Sequence, residues 1–405
     1  MPRTDPTPTL PSGSTGTAQL SRLRALDGLR GVAAVVVLLH HAFLTVPVLA
    51  RPYYVAEAAD RDSPLVWALI HTPLHLAWAG TEAVYVFFVL SGLVLALPVL
   101  RSASFSWLEY FPRRAARLYL PVAATVLWGL LLVWLVPRDN MASRSLWIRA
   151  RPDLPSWNGV AHDLTLLRGE SHLISPFWSL QWELWFSLLL PLYVLGVVLL
   201  RRLPMWIPFA GLVGMVAAGV FLGSRALIHL PMFAIGVVIA SRLPELTRRA
   251  AFIRPRGWVL AGFGATVLGT AHWSLLALTT NSTILRLGTP LALLGATGYV
   301  LMVALCPQLQ RWLETTPIQW LGMISFSLYL VHEPIVIALA FLLSPGSGPL
   351  LVALAVPISL LVGWLFYRLI ELPAHHASRR FGRWVAQNLR SASTVHRPTQ
   401  PDAVP

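Results

Sequence analysis

The sequence of 405 residues contains no lysine and a single cysteine, and only 12% of its residues are charged. An average soluble domain has about 25% charged residues, so this composition excludes an ordinary soluble enzyme. One cysteine, Cys306, excludes an intrachain disulfide and a zinc site built from several thiolates, and we expect no metal cofactor. All 31 cationic residues are arginine, and we expect no nucleic-acid partner.

The sequence is strongly apolar, and 56% of its residues are hydrophobic. A transmembrane helix needs about 20 predominantly apolar residues. Windows of this kind lie at 27–49, 80–99, 118–136, 176–200, 206–222, 226–241, 257–278, 286–306, 321–343 and 349–369. The sequence therefore predicts an all-α integral membrane protein of the cell membrane, a bundle of about ten transmembrane helices. The fifth and sixth windows are short, so either of them could fall short of a full span.

The two ends of the chain differ in composition from the middle. Residues 1–20 are rich in Pro, Thr, Ser and Gly and are predicted to form a disordered tail, and residues 376–405 a basic, partly disordered one. Between them, residues 21–375 form the predicted transmembrane domain. Arginines concentrate in the loops on the side of both termini, so the positive-inside rule places both termini in the cytoplasm. The opposite loop, 137–175, carries five arginines and is predicted to form an outer cap.

The first apolar window carries charge at its start and histidine near its far end. Arg30 and His41 are eleven residues apart, so on an α-helix they share a face and lie about 16 Å apart along the axis. Asp27 lies roughly 60° away on the same side, whereas His40 is roughly 80° off that face. Ionisable groups in a spanning helix usually face a bundle interior or a water-filled cavity. We therefore expect Arg30 and His41 to face one cavity that reaches the cytoplasm.

Two further groups of polar residues have both a structural and a functional interpretation. Ser91 and Gly92 lie in the middle of the second window, where such a pair serves close helix packing, and a catalytic role for Ser91 is the alternative. Arg114 and Arg117 lie three residues apart on one helical face and could bind phosphates. Together with Arg113 they could equally reflect the positive-inside bias alone.

Polar residues also occur inside the fourth and ninth windows. Glu183 lies in an apolar run, where a carboxylate needs a partner, and this favours a functional role. Ser325, Tyr329 and His332 follow at intervals of four and three residues, which aligns them on one helical face. Such a face can form a structural hydrogen-bond network between helices or a catalytic one.

Six segments in order resemble the signature blocks of the acyltransferase-3 family of integral-membrane O-acyltransferases, over about residues 22–380. The segments are Leu26–His41, Phe87–Leu93, Arg113–Pro121, Trp178–Glu183, Ile324–His332 and Glu371–Pro373. Each block is weak alone, but six in sequence on ten predicted spans form a specific pattern. The chain resembles the stand-alone version of the family, without the extra extracellular hydrolase-like domain of longer relatives.

The resemblance implies transfer of an acyl group, usually acetyl, from acetyl-CoA or another acyl-CoA to a hydroxyl group. Acceptors in the family are surface glycans, glycolipids, exported glycosides and macrolide-type natural products, and membrane lipid is the further expected partner. The family's motif of arginine, ten residues and histidine falls on Arg30 and His41. Its arginine pair, associated with the acyl-CoA donor, falls on Arg114 and Arg117.

Acyl transfer from a thioester to a hydroxyl needs a base, donors for the developing oxyanion and a site for the CoA phosphates. We assign His41 as the base, because an imidazole titrates near neutral pH. Glu183 or Asp27 would orient it, Arg30 would meet the thioester or pantetheine, and the arginine pair would hold the phosphates. Direct transfer is preferred to a covalent acyl-enzyme on Ser91 or His41.

A proton-coupled transporter of a small polar substrate is the rival hypothesis. Such a protein would also place histidine, glutamate and arginine inside a bundle as a proton relay. Many transporters consist of inverted repeats with helices broken in matching positions, and the sequence has no such pair.

Overall fold

A computed structural model describes residues 14–55, 63–102, 104–138, 141–151, 156–167 and 173–395. Within these ranges the regular structure is helical throughout and contains no strand. The all-α class predicted from the sequence is therefore confirmed. Residues 1–13 and 396–405 lie outside the described ranges, so the tails predicted there are not addressed, whereas residues 14–20 belong to the first helix.

Eighteen α-helices follow one another along the described part of the chain. They are α1 (Ser14–Leu44), α2 (Pro47–Ala50), α3 (Pro64–His71), α4 (Gly80–Arg101), α5 (Trp107–Leu135), α6 (Leu146–Arg149), α7 (Trp157–Thr165), α8 (Phe177–Leu199), α9 (Trp206–Leu222), α10 (Arg225–Ala250), α11 (Pro255–Gly269), α12 (Ala271–Leu278), α13 (Ser282–Arg286), α14 (Gly288–Leu305), α15 (Pro307–Leu313), α16 (Thr316–Leu342), α17 (Gly348–Phe366) and α18 (Leu372–Val395). Short 3₁₀ turns occupy Arg51–Tyr53, Pro73–Trp78, Met141–Ser143 and Leu200–Arg202, and a π-helical turn, Tyr367–Glu371, joins α17 to α18.

The ten apolar windows predicted from the sequence all fall on helices. Eight helices in the described residues are long and apolar enough to cross a membrane. The pair α11 and α12 would count as a ninth span, although it is bent by 57° at its break. The remaining window, the fifth in chain order, is α9. At 17 residues it is about 25 Å long and shorter than a typical hydrocarbon core.

Helix α16 forms the axis of the bundle. In its most apolar window 89% of the residues are buried, compared with 22% in α8, which therefore turns most of its surface outward. Gly31 of α1 and Gly322 of α16 face each other so closely that a side chain on either would overlap the opposite backbone. Small residues at such crossings let membrane helices approach closely. This contact fixes α1, with its charged and histidine residues, against α16.

A second close crossing joins α4 and α10. A Cβ on Gly236 would overlap the carbonyl oxygen of Val89, and one on Gly92 the carbonyl oxygen of Phe233. Gly92 therefore has the packing role that the sequence suggested for the Ser91–Gly92 pair. Two core helices are held together here without any polar contact.

Replacement of Gly236 by valine is expected to destabilise the fold by about 1–3 kcal/mol, because the added side chain must push α4 and α10 apart. The measurement is the thermal unfolding midpoint of the purified protein in detergent. Gly264→Ala is the matched control, since no atom lies within 4 Å of a Cβ at this helical glycine. An unchanged midpoint for Gly236→Val would show that the crossing is looser than described.

Candidate active site

A cavity of about 290 Å³ lies between α1, α4, α5, α8 and α16. Eight of the eleven site residues predicted from the sequence line it, whereas Arg113, His41 and His332 do not. Those eight are Asp27, Arg30, Ser91, Arg114, Arg117, Glu183, Ser325 and Tyr329. The bundle thus collects polar side chains from five helices around one space, although these residues are far apart in the chain.

The cavity has an end rich in charge, which we call the arginine end, formed by Arg30, Arg114 and Arg117 together with two carboxylates. Arg114 forms an ion pair with Glu183 and donates from Nε to the hydroxyl oxygen of Ser187 at 3.1 Å. Arg30 Nη1 lies 3.1 Å from Asp27 Oδ1. Arg117 forms no ion pair among the described residues, although the charges of Glu371 and Glu183 both act on it.

The expected role of Asp27 or Glu183 as the carboxylate that orients His41 is wrong. Both carboxylates bind arginines at the arginine end. Asp27 precedes His41 by fourteen residues in α1, which is about 21 Å along the helix axis. A shared helical face therefore does not bring the two side chains together.

His41 lies at the opposite end of the same helix face, where it stacks on the indole of Trp147 and meets His332 edge to edge. Its ring centroid is 5.3 Å from that of Trp147 and 5.0 Å from that of His332, with both rings nearly parallel to it. His41 Nδ1 lies 2.8 Å from His332 Nε2, and His332 Nδ1 lies 2.9 Å from the carbonyl oxygen of Leu328. We call this pair and its surroundings the histidine end.

The hydrogen bonds fix one consistent pair of tautomers. The carbonyl of Leu328 can only accept, so His332 donates from Nδ1 and its Nε2 carries a lone pair. His41 must then donate from Nδ1 to that lone pair. The remaining nitrogen of His41, Nε2, is left as a proton acceptor, which is the state a general base requires.

Tyr329 separates the cavity from the histidine pair. Its hydroxyl lies 2.7 Å from Ser179 Oγ and donates to the carbonyl oxygen of Pro176 at 3.1 Å. Its ring packs edge-on against Phe87 and lies 6.0 Å from the ring of His332. Arg30 faces the cavity as expected, but His41 does not line it. Its partner His332 lies about one helical turn beyond Tyr329 on α16.

The loop after α5 covers the histidine end. Arg151 forms an ion pair with Glu333 at 3.0 Å, with side chains only 4% and 0% exposed. Glu333 also accepts from the backbone amide of Ser175 at 2.5 Å. The Arg151 guanidinium lies 4.5 Å from the ring centre of Trp147. This cation–π contact holds the indole in place against His41.

The sequence did not predict three residues of the histidine end, namely Trp147, Arg151 and Glu333. Glu333 could have been found, because it is a carboxylate inside an apolar span and directly follows His332. Trp147 and Arg151 carried no such signal, since an aromatic and a basic residue in a polar loop are common. Their importance depends on how the loop folds back onto α1 and α16.

A second polar cluster, which contains His40, Tyr53 and His75, lies on the other side of the histidine end. His40 donates from Nδ1 to the carbonyl oxygen of Trp78 at 3.0 Å, and the hydroxyl of Tyr53 lies 3.2 Å from His75 Nε2. Burial lowers the pKa of His75 well below its ordinary value, so this imidazole is neutral. In the described residues no group of three His, Cys, Asp or Glu is arranged to hold a metal ion.

Comparison with known proteins shows the family to which the chain belongs. Residues 23–368 match the acyltransferase domain family Acyl_transf_3. Acyltransferase MdmB of Streptomyces mycarofaciens is 30% identical over 207 residues, which are 50% of this chain and 47% of that protein. The chain thus spans about half the length of the curated relative that it matches, and no solved structure matches it. Because the family match covers most of a chain with eight or more membrane-length helices, the protein belongs to the acyltransferase domain family and is a multi-pass membrane protein.

Proposed function

We propose that the protein is a membrane O-acyltransferase that moves an acyl group, in the simplest case acetyl, from acyl-CoA to a hydroxyl group. The acceptor would be a surface glycan, a glycolipid, an exported glycoside or a macrolide-type product. The observation that carries this proposal is a cavity lined by three arginines at one end, with a base-competent histidine beyond the Tyr329 wall at the other. Membership of an acyltransferase family supports the reaction class.

The arginine end suits the donor. Arg30 and Arg114 each form an ion pair with a carboxylate. Arg117 forms none among the described residues, although the charges of Glu371 and Glu183 act on it, so its guanidinium can donate to an anion. The phosphates of CoA are anions that guanidinium groups bind bidentately. Under the positive-inside rule this end faces the cytoplasm, where acyl-CoA is found.

The distance between the arginine end and the histidine end suits the pantetheine arm of the donor. Arg30 and His41 lie about 16 Å apart along α1, and pantetheine is an extended chain of comparable length. A nucleotide at the arginine end would therefore bring its thioester towards the histidine end. For this, the ring of Tyr329 must move aside or leave a narrow passage, since it forms the far wall.

The chemical step would take place at His41. Nε2 of His41 accepts the proton of the acceptor hydroxyl while the hydroxyl oxygen forms a bond to the acyl carbon, and the carbon–sulfur bond then breaks. The proton passes from the imidazolium to the thiolate, which leaves as the CoA thiol. His332 accepts the hydrogen bond from Nδ1 throughout, and the face of Trp147 stabilises the transient positive charge.

Mass spectrometry of surface glycans and secreted glycosides tests the proposal. Cells with the protein should contain products heavier by one acyl increment, which cells lacking it do not contain. Purified protein in nanodiscs should release the CoA thiol from acetyl-CoA when the acceptor is added. A transporter would move its substrate across vesicles without any thiol release, and that outcome would replace the proposal.

Replacement of Arg117 by glutamine is expected to raise the KM for acyl-CoA about tenfold with little change in kcat. A charge-assisted hydrogen bond contributes about 1.5–3 kcal/mol, and here it is made equally in the ground and transition states. Initial rates at varied acetyl-CoA concentration measure both constants. Arg248→Gln, at an exposed arginine of α10, is the control and should leave both unchanged. A fall in kcat at constant KM would instead place Arg117 at the reacting group.

A further inference from the structure

Helix α18 packs lengthwise against α5 at the arginine end. Its buried residues recur every fourth position and are small, namely Ala374, Ser378, Gly382 and Ala386. Gly382 lies so close to Glu109 and Arg113 that an added Cβ would overlap them. Arg390 donates to the hydroxyl oxygen of Ser106 at 3.4 Å.

These contacts fix an antiparallel register. Gly382 lies opposite Glu109 and Arg113, while Arg390, further along α18, lies opposite Ser106, which precedes α5. The turn of α18 before Gly382 must therefore lie opposite the turn of α5 that follows Arg113, which contains Arg117. His375 agrees with this register, because the charges of Arg117 and Arg113 both act on it.

The register adds arginines from α18 to those of α5. Arg379 and Arg383 are four residues apart and share one side of α18, next to its buried stripe. Both are exposed to solvent. Neither of them, nor Arg113 or Arg117, forms an ion pair among the described residues.

Carboxylates act on Arg117, but the other three guanidinium groups lie on two packed helices without an ion pair among the described residues. Like charges placed in this way repel one another unless an anion joins them. An anion of several charges suits the site better than a single chloride, because the arginines come from two helices and span two turns. Guanidinium forks bind phosphate bidentately. Such an arrangement suits a ligand with several phosphate groups.

We propose that Arg379 and Arg383 of α18 complete a phosphate-binding surface with Arg113 and Arg117, and that its ligand is the phosphorylated adenosine of acyl-CoA. This rests on the proposed function. A pantetheine arm inserted into the cavity leaves its nucleotide at the mouth, because a charged nucleotide cannot enter an apolar bundle. The second helix then supplies the charges for phosphates that Arg117, inside the mouth, does not reach.

Equilibrium binding of CoA and its fragments tests the proposal without requiring catalytic turnover. The full-length protein in nanodiscs of neutral phosphatidylcholine is titrated with CoA, 3′-dephospho-CoA and pantetheine. The double variant Arg379→Gln with Arg383→Gln is expected to weaken CoA binding by roughly tenfold or more, 3′-dephospho-CoA less, and pantetheine not at all. Arg380→Gln is the matched control, since Arg380 lies about 160° round α18 from Gly382 and faces away from α5.

Other results would overturn the proposal. Equal CoA affinity in wild type and double variant would remove α18 from the nucleotide site, and equal weakening of pantetheine binding would indicate a general structural effect. A phospholipid headgroup has the same phosphate chemistry, so the titration is repeated in nanodiscs with anionic phosphatidylglycerol. A shift in thermal stability confined to those discs, with unchanged CoA binding, would assign the arginines to lipid instead. Wild type that binds CoA but releases no thiol from acetyl-CoA would contradict the proposed function and leave the CoA site in place.

Discussion

Replacement of His41 by asparagine is expected to lower the rate of acyl transfer by about 10²- to 10⁴-fold, the usual contribution of a general base. The hydrogen bonds from Leu328 through His332 leave Nε2 of His41 as the acceptor. Asparagine can still donate towards His332, but its amide cannot take up a proton near neutral pH. The expected loss is in kcat, whereas the affinity for acyl-CoA, which we propose to bind at the arginine end, should change little.

The neighbouring histidine provides the control for this variant. His40 is buried like His41 but binds the carbonyl oxygen of Trp78, and asparagine at that position can keep this hydrogen bond. His40→Asn should therefore retain most of the activity. Rates of thiol release from acetyl-CoA in the presence of acceptor measure both variants, with thermal unfolding as the check on folding. Equal losses in the two variants would mean that His41 has no special chemical role.

Replacement of Glu333 by glutamine is expected to destabilise the protein by about 3–5 kcal/mol, because it leaves the Arg151 charge buried without its partner. The activity that remains below the unfolding temperature should also fall, by roughly 10- to 100-fold. Arg151 holds Trp147 against His41, and a loose guanidinium no longer does so. Thermal unfolding and initial rates of the purified variant measure the two effects separately.

A double-mutant cycle shows whether loss of the Arg151–Glu333 ion pair causes the expected destabilisation. Adding Arg151→Met to Glu333→Gln removes the stranded charge, so the double variant should be more stable than Glu333→Gln alone. Arg149→Met, at an exposed arginine of the same loop, should leave stability and rate unchanged. Strictly additive losses from Arg151 and Glu333 would argue that the two side chains act independently.

The positions of the helices could be predicted from the sequence because hydropathy and length decide what crosses a bilayer. The cavity residues could be predicted for a related reason. A group such as Arg30, Arg117 or Glu183 is too costly to turn towards lipid, so it must face the interior. Membership of the family also followed from six short blocks of sequence and is confirmed by the match over residues 23–368.

The partners of these groups could not be predicted in the same way. Helical periodicity gives the face on which a residue lies but not which residue of a neighbouring helix it meets. Glu183 therefore pairs with Arg114, and His41 with His332, through contacts that only the packing of α1, α5, α8 and α16 determines. The contribution of Trp147 depends on α6, a helix of four residues that is too short to give a periodic signal in the sequence.

The enclosure of His41 has a consequence for the fate of the donor. Trp147 stacks on its ring, His332 lies at the ring edge, and Tyr329 lies between this pair and the cavity. The imidazole is only 9% exposed. Water that could compete with the acceptor hydroxyl is largely excluded from the base. A thioester bound there would be protected from hydrolysis by water. Activated acyl groups would then be consumed only when an acceptor is bound.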